Sequence, residues 1–495
     1  MPRLFVKTRL MRAPQDRHVR LALLIGVAAV AVRLIAINQP FIDQWSWRQS
    51  DVAAIARNFF QNGFLFAYPQ IDWAGEQPGY VGTEFPILPF KAALCYKLLG
   101  VHEWIGRVQA VILFALSLPF FFLIVRRIFG ATAAVWALFF YSFAPLSVMT
   151  GRCFMPDMPA LSLSIIALYF FQRWIDDERS TCLFVAAAAV SLSILIKAPS
   201  AVIGAPLAYL AFAQFGLRTF RRIELWIFAA IALMPAALWY WHAANVAAQF
   251  YPFHFFGAGG FHIESAAWYW KIAKLVIFSS LTPLLCALAA VGIFTARSTI
   301  SARPLYAWLV AMLLFVLVVG YGNRHPWYQL PFVPIAAAFA GVACQRVIRR
   351  RALQLLFVSG FSFFSFNSTK IYYRESAADL RAAGLALSQI TDKKSLIVAA
   401  DYGDPSVFYY AERKGWHFLE RDGIYNGHPN ESADAIADLE QLRARGATHI
   451  VFYSASVWWL DYYKEFAEHL QRTATLTNET PQFKIYRLGL VSRRD

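Results

Sequence analysis

The chain has 495 residues, of which 58% are hydrophobic and only 15% are charged. One globular core cannot bury that much apolar surface, so the composition excludes an ordinary soluble protein and indicates a polytopic membrane protein. A net charge of +16 would suggest nucleic-acid binding in a soluble protein, but here the basic residues cluster in alternate gaps between apolar runs. That pattern sets orientation in a membrane, and no nucleic-acid partner is expected.

The N-terminal part predicts one membrane helix followed by a long external loop. Residues 1–20 are basic and precede the apolar run Leu21–Ile37. No small-residue cleavage site follows, so we expect an uncleaved first helix with a cytoplasmic N-terminus. Residues 38–104 then form a periplasmic loop rich in Trp, Tyr and Phe. Within it, Ile87–Gly100 is too short and too charged to span the bilayer and is expected to lie along its surface.

Ten further apolar runs follow the loop, which makes about eleven predicted spans. They are Ile105–Val125, Ala131–Met149, Pro156–Trp174, Thr181–Ile196, Ala201–Phe215, Ile223–Trp241, Ile272–Thr295, Leu305–Gly320, Tyr328–Cys344 and Ala352–Phe366. Lys and Arg are enriched in cytoplasmic loops. The strongly basic loops all fall on the cytoplasmic side of this topology: 126–127, 173–179, 218–222, 297–303 and 346–351.

The C-terminal residues Tyr372–Asp495 are charged and contain no apolar run of span length. Three strand patterns alternate with three helix patterns, which predicts a small α/β domain. The strands are Ser395–Asp401, Thr448–Tyr453 and Gln482–Arg487, and the helices are Ala377–Ile390, Ser432–Arg445 (with Ser432 as its cap) and Leu460–Gln471. An odd number of spans places this domain in the periplasm. The predicted domains are therefore a membrane domain, 1–369, and a periplasmic α/β domain, 370–495.

Polar and aromatic residues of the external loops predict an active site at the outer membrane surface. The candidate catalytic carboxylates are Asp51, Glu84 and Asp157; the candidate phosphate-binding residues are Arg48, Arg152, Lys197, Arg324 and His325; and the candidate groove residues are Trp45, Trp47, Tyr80, Trp327 and Tyr328. When a sugar leaves a lipid phosphate, Arg or Lys stabilises the departing charge. A general base for the attacking hydroxyl is worth about 10²- to 10⁴-fold in rate.

Each candidate also has a structural explanation. Glu84 and Asp157 stand near predicted helix starts, where the helix dipole favours an acid. Lys197 and Arg324 at helix ends could extend their charges to the interface. Histidines such as His254 are interpreted as interface or loop residues. The active-site interpretation is favoured because the candidates all fall on one side of the membrane.

The order of several short motifs resembles glycosyltransferase family 39, which includes the protein O-mannosyltransferases and the lipid A aminoarabinose transferase. The motifs are Glu84-Phe-Pro86, Leu99–Trp104, Arg107, Met155-Pro-Asp157, Lys197-Ala-Pro199 and Trp327–Pro331, within about residues 20–345. The resemblance implies the GT-C membrane fold, a polyprenyl-phosphate sugar donor, transfer on the periplasmic face and no essential metal. It also implies that Glu84 and Asp157 occupy acidic active-site positions and that Lys197 lies near the donor phosphate.

The first loop departs from the family pattern. The family typically has Asp-Glu where this chain has Arg48-Gln49, and the nearby acid is Asp51. Two alternatives stay open. Asp51 substitutes as the base, or Arg48 binds phosphate and Glu84 acts as the base.

The predicted function is a bacterial inner-membrane enzyme that moves one sugar, a hexose or a pentose, from a polyprenyl phosphate to an envelope acceptor. The acceptor is lipid A or lipopolysaccharide, a glycolipid, a polysaccharide or a protein. The residues call for no cofactor, and a divalent metal stays open. A transporter or lipid-linked-sugar flippase is the alternative, but such proteins usually carry ionisable groups at the bilayer midplane and inverted repeats, neither of which is evident. A sensor or scaffold built around the C-terminal domain is a third possibility.

Overall fold

The structure is a computed structural model that describes residues 17–251, 254, 261–348, 350–421, 424–425 and 427–489. The predicted cytoplasmic segment 1–16 and the basic residue Arg349 lie outside the described residues. Every predicted apolar run forms helix, because a bilayer-embedded backbone must satisfy its hydrogen bonds within its own segment.

The first fifteen α-helices end before the C-terminal domain. They are α1 Arg17–Leu34, α2 Ser46–Asn62, α3 Ile87–Leu99, α4 Glu103–Phe129, α5 Ala131–Phe143, α6 Pro145–Thr150, α7 Asp157–Asp177, α8 Ser180–Ile196, α9 Gly204–Phe215, α10 Ile223–Gln249, α11 Ala266–Lys274, α12 Pro283–Ala296, α13 Arg303–Val319, α14 Phe332–Val347 and α15 Arg351–Thr369. Two predicted runs are interrupted. Ala131–Met149 divides into α5 and α6 before Pro145, whose ring cannot continue a helix.

Five helical segments of the described chain are long and apolar enough to cross a membrane: Glu103–Phe129, Asp157–Asp177, Ala198–Arg221, Ile223–Gln249 and Ile300–Asn323. The other interrupted run, Ala266–Leu281 with Pro283–Ala296, bends by 102° and would make a sixth. Shorter apolar helices include α5, α8 and α14. The predicted total of eleven spans stays a prediction.

The described residues divide into two compact units. The first unit contains the described residues of Met1–Ile37, Gly106–Trp241 and Ala258–Ile371. The second unit contains the described residues of Asn38–Ile105, His242–Gly257 and Tyr372–Asp495. Packing therefore groups the first loop with the C-terminal residues, whereas the sequence analysis assigned that loop to the membrane domain.

Helix α14 lies at the centre of the first unit, and all its residues from Val333 to Cys344 are buried. Two glycines bring its neighbours close. A Cβ atom on Gly341 would lie 2.4 Å from the carbonyl oxygen of Ala133 in α5. A Cβ atom on Gly292 in α12 would lie 1.9 Å from the carbonyl oxygen of Phe339 in α14. Small residues at helix contacts allow the close backbone approach from which membrane helices gain dispersion energy.

Polar contacts at one end of the first unit join the loops predicted to be cytoplasmic. Arg127 forms an ion pair with Asp176, and Arg222 pairs with Glu178 at 2.6 Å. The hydroxyl of Ser301 donates to the carbonyl oxygen of Ile128 at 3.3 Å. The alternate loops that the charge pattern assigned to one side thus contact one another.

The second unit contains a five-stranded sheet of order β2-β1-β5-β7-β6. Its strands are β1 Leu396–Ala400, β2 Lys414–His417, β5 Ala447–Tyr453, β6 Ala474–Glu479 and β7 Phe483–Leu488; β3 Glu420–Arg421 and β4 Ile424–Tyr425 form a separate pair. Strand β1 runs parallel to β2 and β5, whereas β7 is antiparallel to β5 and β6. The three predicted strands are present, and β2 and β6 were missed.

Five helices cover the two faces of this sheet: α16 Ala378–Ile390, α17 Ser406–Ala411, α18 Ser432–Ala444, α19 Trp459–Tyr462 and α20 Lys464–Thr473. Residues of α18 and α20 pack on one face, and residues of α16 and α17 pack on the other. The predicted cap at Ser432 is wrong, because Glu431 precedes the helix and its side chain makes no cap hydrogen bond.

The first loop packs against this α/β domain through both core and backbone contacts. Ile42 joins the core formed by α16 and α17. The amide of Gly75 donates to the carbonyl oxygen of Gly415 at 2.7 Å. The amide of Gly415 donates to the carbonyl oxygen of Asp72 at 3.0 Å. These bonds extend edge strand β2 with a segment of the loop, so the domain supports the part of the loop that carries candidate site residues.

Candidate active site

Arg48 joins two of the predicted catalytic carboxylates in the second unit. It lies in α2 one turn before Asp51, the spacing at which helical side chains face each other. One terminal nitrogen of its guanidinium is 3.0 Å from Asp51 Oδ2, and the other is 2.8 Å from Glu84 Oε1. The Arg48 side chain is 12% exposed and the two carboxylates 5% and 10%. Two carboxylates therefore share one cation in a mostly buried site.

Glu84 stands just before α3, after an extended segment of the first loop. Its Oε1 accepts from Arg48, and its Oε2 accepts from the hydroxyl of Thr83 at 2.9 Å. Glu84 does not cap α3, which was its alternative explanation. The residue at the cap position is Pro86, and no side chain makes a cap hydrogen bond there.

Asp51 is bonded from three directions. Besides Arg48, the indole nitrogen of Trp73 lies 3.4 Å from Oδ1, and Nε2 of His254 lies 3.2 Å and 3.0 Å from Oδ1 and Oδ2. Burial by itself raises the pKa of Asp51, but the charge of His254, its hydrogen bond and the charge of Arg48 outweigh burial, so the pKa is lowered. The carboxylate stays ionised.

Asp157 and Lys197 form a second ion pair, within the first unit. Helix α7 begins at Asp157, immediately after Pro156, and Lys197 follows the last residue of α8. Lys197 Nζ is 3.4 Å from Asp157 Oδ1, and the two side chains are 8% and 3% exposed. Lys197 Nζ also lies 4.8 Å from the centroid of the Tyr328 ring. Residues from the ends of two different helices are thereby brought together beside an aromatic residue.

The pair opens onto a mainly apolar cleft, which we call the Asp157–Lys197 cleft. Its wall comes from α7, α13 and the segment before α14, and includes Leu161, Trp308, Met312, Trp327 and Tyr328. A buried ion pair at the edge of an aromatic and aliphatic cleft suits a ligand with one charged group and apolar or sugar-ring surfaces.

The other predicted cations of the first unit make contacts of their own. A terminal nitrogen of Arg152 donates to the carbonyl oxygen of Ala36 at 2.9 Å, which ties the end of α1 to the loop before α7. Arg324 lies over the Tyr321 ring at 4.3 Å and lines a separate cleft with Lys271 and Lys274. A phosphate-binding role for Arg152 and Arg324 stays a prediction.

The remaining predicted residues differ in their surroundings. The His325 ring stacks on Trp327 with centroids 4.6 Å apart, so it supports the wall of the Asp157–Lys197 cleft. Tyr80 packs edge to face against Tyr68 and Phe250. Trp45 precedes α2 and Trp47 lies in its first turn. Their groove-forming role is untested.

Two residues of the Asp51 site were missed by the sequence analysis. His254 was interpreted as a loop histidine, and Trp73 was not singled out. His254 is 203 positions from Asp51, and no motif surrounds it. Only packing of the chain could reveal this contact. Among the residues that the structure describes, no group of three or more His, Cys, Asp or Glu side chains could hold a metal ion.

Comparison with known families and structures identifies the type of fold. Residues 81–241 match the profile of the family described as dolichyl-phosphate-mannose-protein mannosyltransferase. No curated protein matches the chain in sequence. The predicted resemblance to this group of glycosyltransferases is confirmed.

Solved structures with the same fold are distant in sequence. ArnT from Cupriavidus metallidurans in the apo state is 15% identical, with a TM-score of 0.71 and coverage of 95% of this chain and 98% of that chain. Its complex with undecaprenyl phosphate is 14% identical, with a TM-score of 0.66 and coverage of 95% of this chain and 98% of that chain. A third structure is the archaeal oligosaccharyltransferase AglB from Archaeoglobus fulgidus in complex with an inhibitory peptide and a dolichol-phosphate. It is 12% identical, with a TM-score of 0.60 and coverage of 95% of this chain and 74% of that chain. This chain therefore has the GT-C fold of a membrane protein, with several apolar helices and a small C-terminal sheet.

Proposed function

We propose that this protein is a membrane glycosyltransferase that transfers a sugar from a polyprenyl-phosphate donor to a cell-envelope acceptor on the periplasmic face. The observation that carries the proposal is the pairing of buried carboxylates with buried cations in both units, at Arg48 with Asp51 and Glu84, and at Lys197 with Asp157. The family profile and the polyprenyl-phosphate complexes of two proteins with the same fold support this donor class.

The proposed reaction is a displacement at the anomeric carbon of the donor sugar. A bond forms between the acceptor hydroxyl oxygen and that carbon, and the bond from the carbon to the phosphate oxygen breaks. The bond electrons leave with the polyprenyl phosphate, while a protein base takes the hydroxyl proton. A cation stabilises the charge that develops on the phosphate, because cations in a site that excludes water act strongly on it. The candidates are Lys197 in the first unit and Arg48 in the second.

The Asp157–Lys197 cleft suits the donor. Residues such as Leu161 and Met312 give its wall an apolar surface of the kind that contacts isoprene units, and Trp327 and Tyr328 are aromatic residues of the kind that contacts a sugar ring. Asp157 holds Lys197 in place and accepts hydrogen bonds from sugar hydroxyls. The acceptor class is expected to be lipid A or another lipopolysaccharide component, a glycolipid, a polysaccharide or a protein.

The proposed location is the bacterial inner membrane with the C-terminal domain in the periplasm. The contacts among Arg127, Asp176, Arg222 and Glu178 support the predicted topology, because they join loops that it assigns to the cytoplasm. The contacts of Arg152 with Ala36 and of Lys197 with Asp157 join loops that it assigns to the periplasm.

The test is transfer by the purified protein in lipid nanodiscs. Undecaprenyl phosphate carrying different hexoses and pentoses is supplied with an envelope extract, and mass spectrometry follows released undecaprenyl phosphate and the glycosylated product. Substrate movement across vesicles without a covalent product would contradict the proposal and favour a transporter.

Two substitutions test the site. We expect Glu84→Gln and Asp157→Asn to lower transfer by about 10²-fold or more, because each removes the charge that positions a cation. Expression and membrane insertion should be unchanged. Asp177→Asn is the matched control, since Asp177 pairs with Arg173 on the exposed surface of α7. Wild-type turnover in both site variants would contradict the site assignment.

A further inference from the structure

His254 occupies a buried position against Asp51. Its side chain is 4% exposed, and its Nε2 atom is within 3.2 Å of both carboxylate oxygens. The ring lies against Trp73, with centroids 5.7 Å apart and an interplanar angle of 40°. A carboxylate on one side and an indole on the other therefore fix the orientation of the imidazole.

A base acts in its unprotonated form, and in the neutral form of His254 the contact with Asp51 fixes which nitrogen carries the proton. The carboxylate accepts hydrogen bonds only, so Nε2 must donate to it. Nδ1 then holds a lone pair and is an acceptor. This Nδ1 atom is buried and has no hydrogen-bond partner in the part of the chain that the structure describes. A buried acceptor of this kind is positioned to receive a donor that none of the described residues supplies.

The two carboxylates predicted as bases are poorly placed for that role. Both oxygens of Asp51 accept from Arg48, Trp73 or His254, and these contacts stabilise the ionised form. Both oxygens of Glu84 are also engaged, by Arg48 and Thr83. A carboxylate held by several donors is a weak base. A neutral imidazole whose Nδ1 lone pair is not engaged by the described residues is better placed to accept a proton.

We propose that His254 is the general base of the transfer and that Asp51 is its positioning residue. The proposal rests on the proposed glycosyltransferase function and names the proton acceptor of that reaction. As the acceptor oxygen bonds to the anomeric carbon, its proton moves to Nδ1 of His254. The imidazolium that forms is stabilised by Asp51, and the leaving polyprenyl phosphate takes the electrons of the broken bond. The arrangement is the carboxylate–imidazole pair of hydrolytic triads with the two ring nitrogens exchanged.

Among the described residues, the charged groups around His254 centre on Asp51. Asp51 contacts it directly, and Arg48 joins Asp51 to Glu84. His417 packs on Trp73 with centroids 4.9 Å apart and pairs with Asp401 at 2.8 Å. Substitutions at His417 must therefore be kept out of the test, because they would change the same surroundings.

The test compares the wild type with His254→Ala, His254→Gln and Asp51→Asn in nanodiscs. Wild-type transfer is measured first from pH 5 to pH 9, and kcat/KM should fall on the acid side as one group is protonated. We expect His254→Ala to lose about 10²- to 10⁴-fold in kcat, to lack this acid limb, and to be partly restored by added imidazole. Binding of undecaprenyl phosphate should be unchanged, because that residue does not hold phosphate.

His254→Gln guards against a folding defect. Its amide nitrogen replaces Nε2 and can still donate to Asp51, but the amide cannot act as a base, so this variant should melt like the wild type and be as inactive as His254→Ala. Asp51→Asn should retain the acid limb with a lower kcat, because the imidazole is still present but is neither oriented nor stabilised. The matched control is His242→Gln, since Nε2 of His242 bonds the backbone carbonyl of Ala67 at 2.8 Å and an amide can replace it; this variant should transfer at the wild-type rate.

The outcomes separate this proposal from the proposed function. An active His254→Gln, or a His254→Ala variant that keeps the wild-type acid limb, would overturn the role of His254 while transfer itself stands. A wild-type protein that transfers no sugar from any polyprenyl-phosphate donor would overturn the proposed function.

Discussion

Arg48 is the residue on which the site in the second unit depends, because its guanidinium holds Asp51 and Glu84 with different nitrogens. A planar guanidinium can do so without moving, whereas an ammonium is a point charge. The two acids would otherwise repel each other in a mostly buried position. The arginine therefore offsets this repulsion and fixes the distance between the two carboxylates.

This geometry predicts that Arg48→Lys is not conservative. Lysine can reach one carboxylate at a time, and losing one charge-assisted hydrogen bond costs about 1.5–3 kcal/mol. We expect kcat/KM to fall about 10- to 100-fold. Arg445→Lys is the matched control, because Arg445 pairs with Glu76 in a bond about one-third exposed; it should transfer normally. Equal rates for both variants would show that Arg48 does not organise the site.

At the scale of elements, the extended segment before α3 sets the position of Glu84. Gly82 lies in this segment against the last turns of α10, where a Cβ atom on it would stand 2.0 Å from the carbonyl oxygen of Ala243 and 2.9 Å from Cβ of Ala247. The first of these is backbone and cannot rotate away. A side chain at this position must push the loop from the helix.

We therefore expect Gly82→Ala to lower stability by about 1–3 kcal/mol, the usual cost of overpacking, and to reduce transfer by displacing Glu84. Gly204→Ala is the matched control. Gly204 begins α9 with a helical φ of −55°, and a Cβ atom added to it would have no neighbouring atom within 4 Å, so alanine should be neutral or slightly stabilising. Thermal unfolding and transfer rates of the purified variants provide the measurement; an unchanged Gly82→Ala would contradict the close packing.

At the scale of the whole molecule, the C-terminal domain supports the first loop within the second unit. Ser46 donates to Asp404 at 2.8 Å, and the hydroxyls of Ser50 and Ser406 are 3.1 Å apart. These contacts join the first turns of α2 to the start of α17. The α/β domain thus holds the helix that carries Arg48 and Asp51.

Burial of Asp404 makes this contact dependent on pH. Burial raises the pKa of Asp404, and hydrogen bonds from Ser406 and Ser46 offset it only in part. Because the folded state binds the proton more tightly, the stability it contributes is complete below the unfolded-state pKa of about 3.9 and is lost as pH rises through the higher folded-state value.

Asp404→Asn, which is always neutral, should therefore gain stability over the wild type as pH rises from 4 to 8. Melting temperatures across this range measure the difference, and proteolysis of the first loop should slow in parallel. Asp461→Asn, at an exposed carboxylate of the same unit, is the control and should follow the wild-type curve. A constant offset between Asp404→Asn and the wild type at all pH values would contradict the argument.

The predicted topology is tested by fusions to alkaline phosphatase, which forms its disulfides and is active only in the periplasm. A fusion after Ile371, at the end of the last predicted span, should be active. A fusion after Arg221, in a basic loop, should be inactive. The reverse pattern, or activity of both, would contradict the proposed orientation.

The sequence by itself determined the positions of the helices and the kind of residue in the site. Apolar runs of span length must be helical in a bilayer, and strands alternating with helices must form an α/β domain, so these features depend on local patterns. Asp157 after Pro156 and Lys197 after α8 were likewise evident, because helix ends are local features. Breaks such as that before Pro145 were missed within otherwise continuous apolar runs.

Only the tertiary structure decided which of these residues act together. His254 meets Asp51 across 203 positions, and Arg48 meets Glu84 across 36. The first loop packs on a domain from the far end of the chain, as the hydrogen bond from the amide of Ala377 to the carbonyl oxygen of Ile42 shows. Such contacts depend on the free energy of packing the whole chain, and no local pattern encodes them.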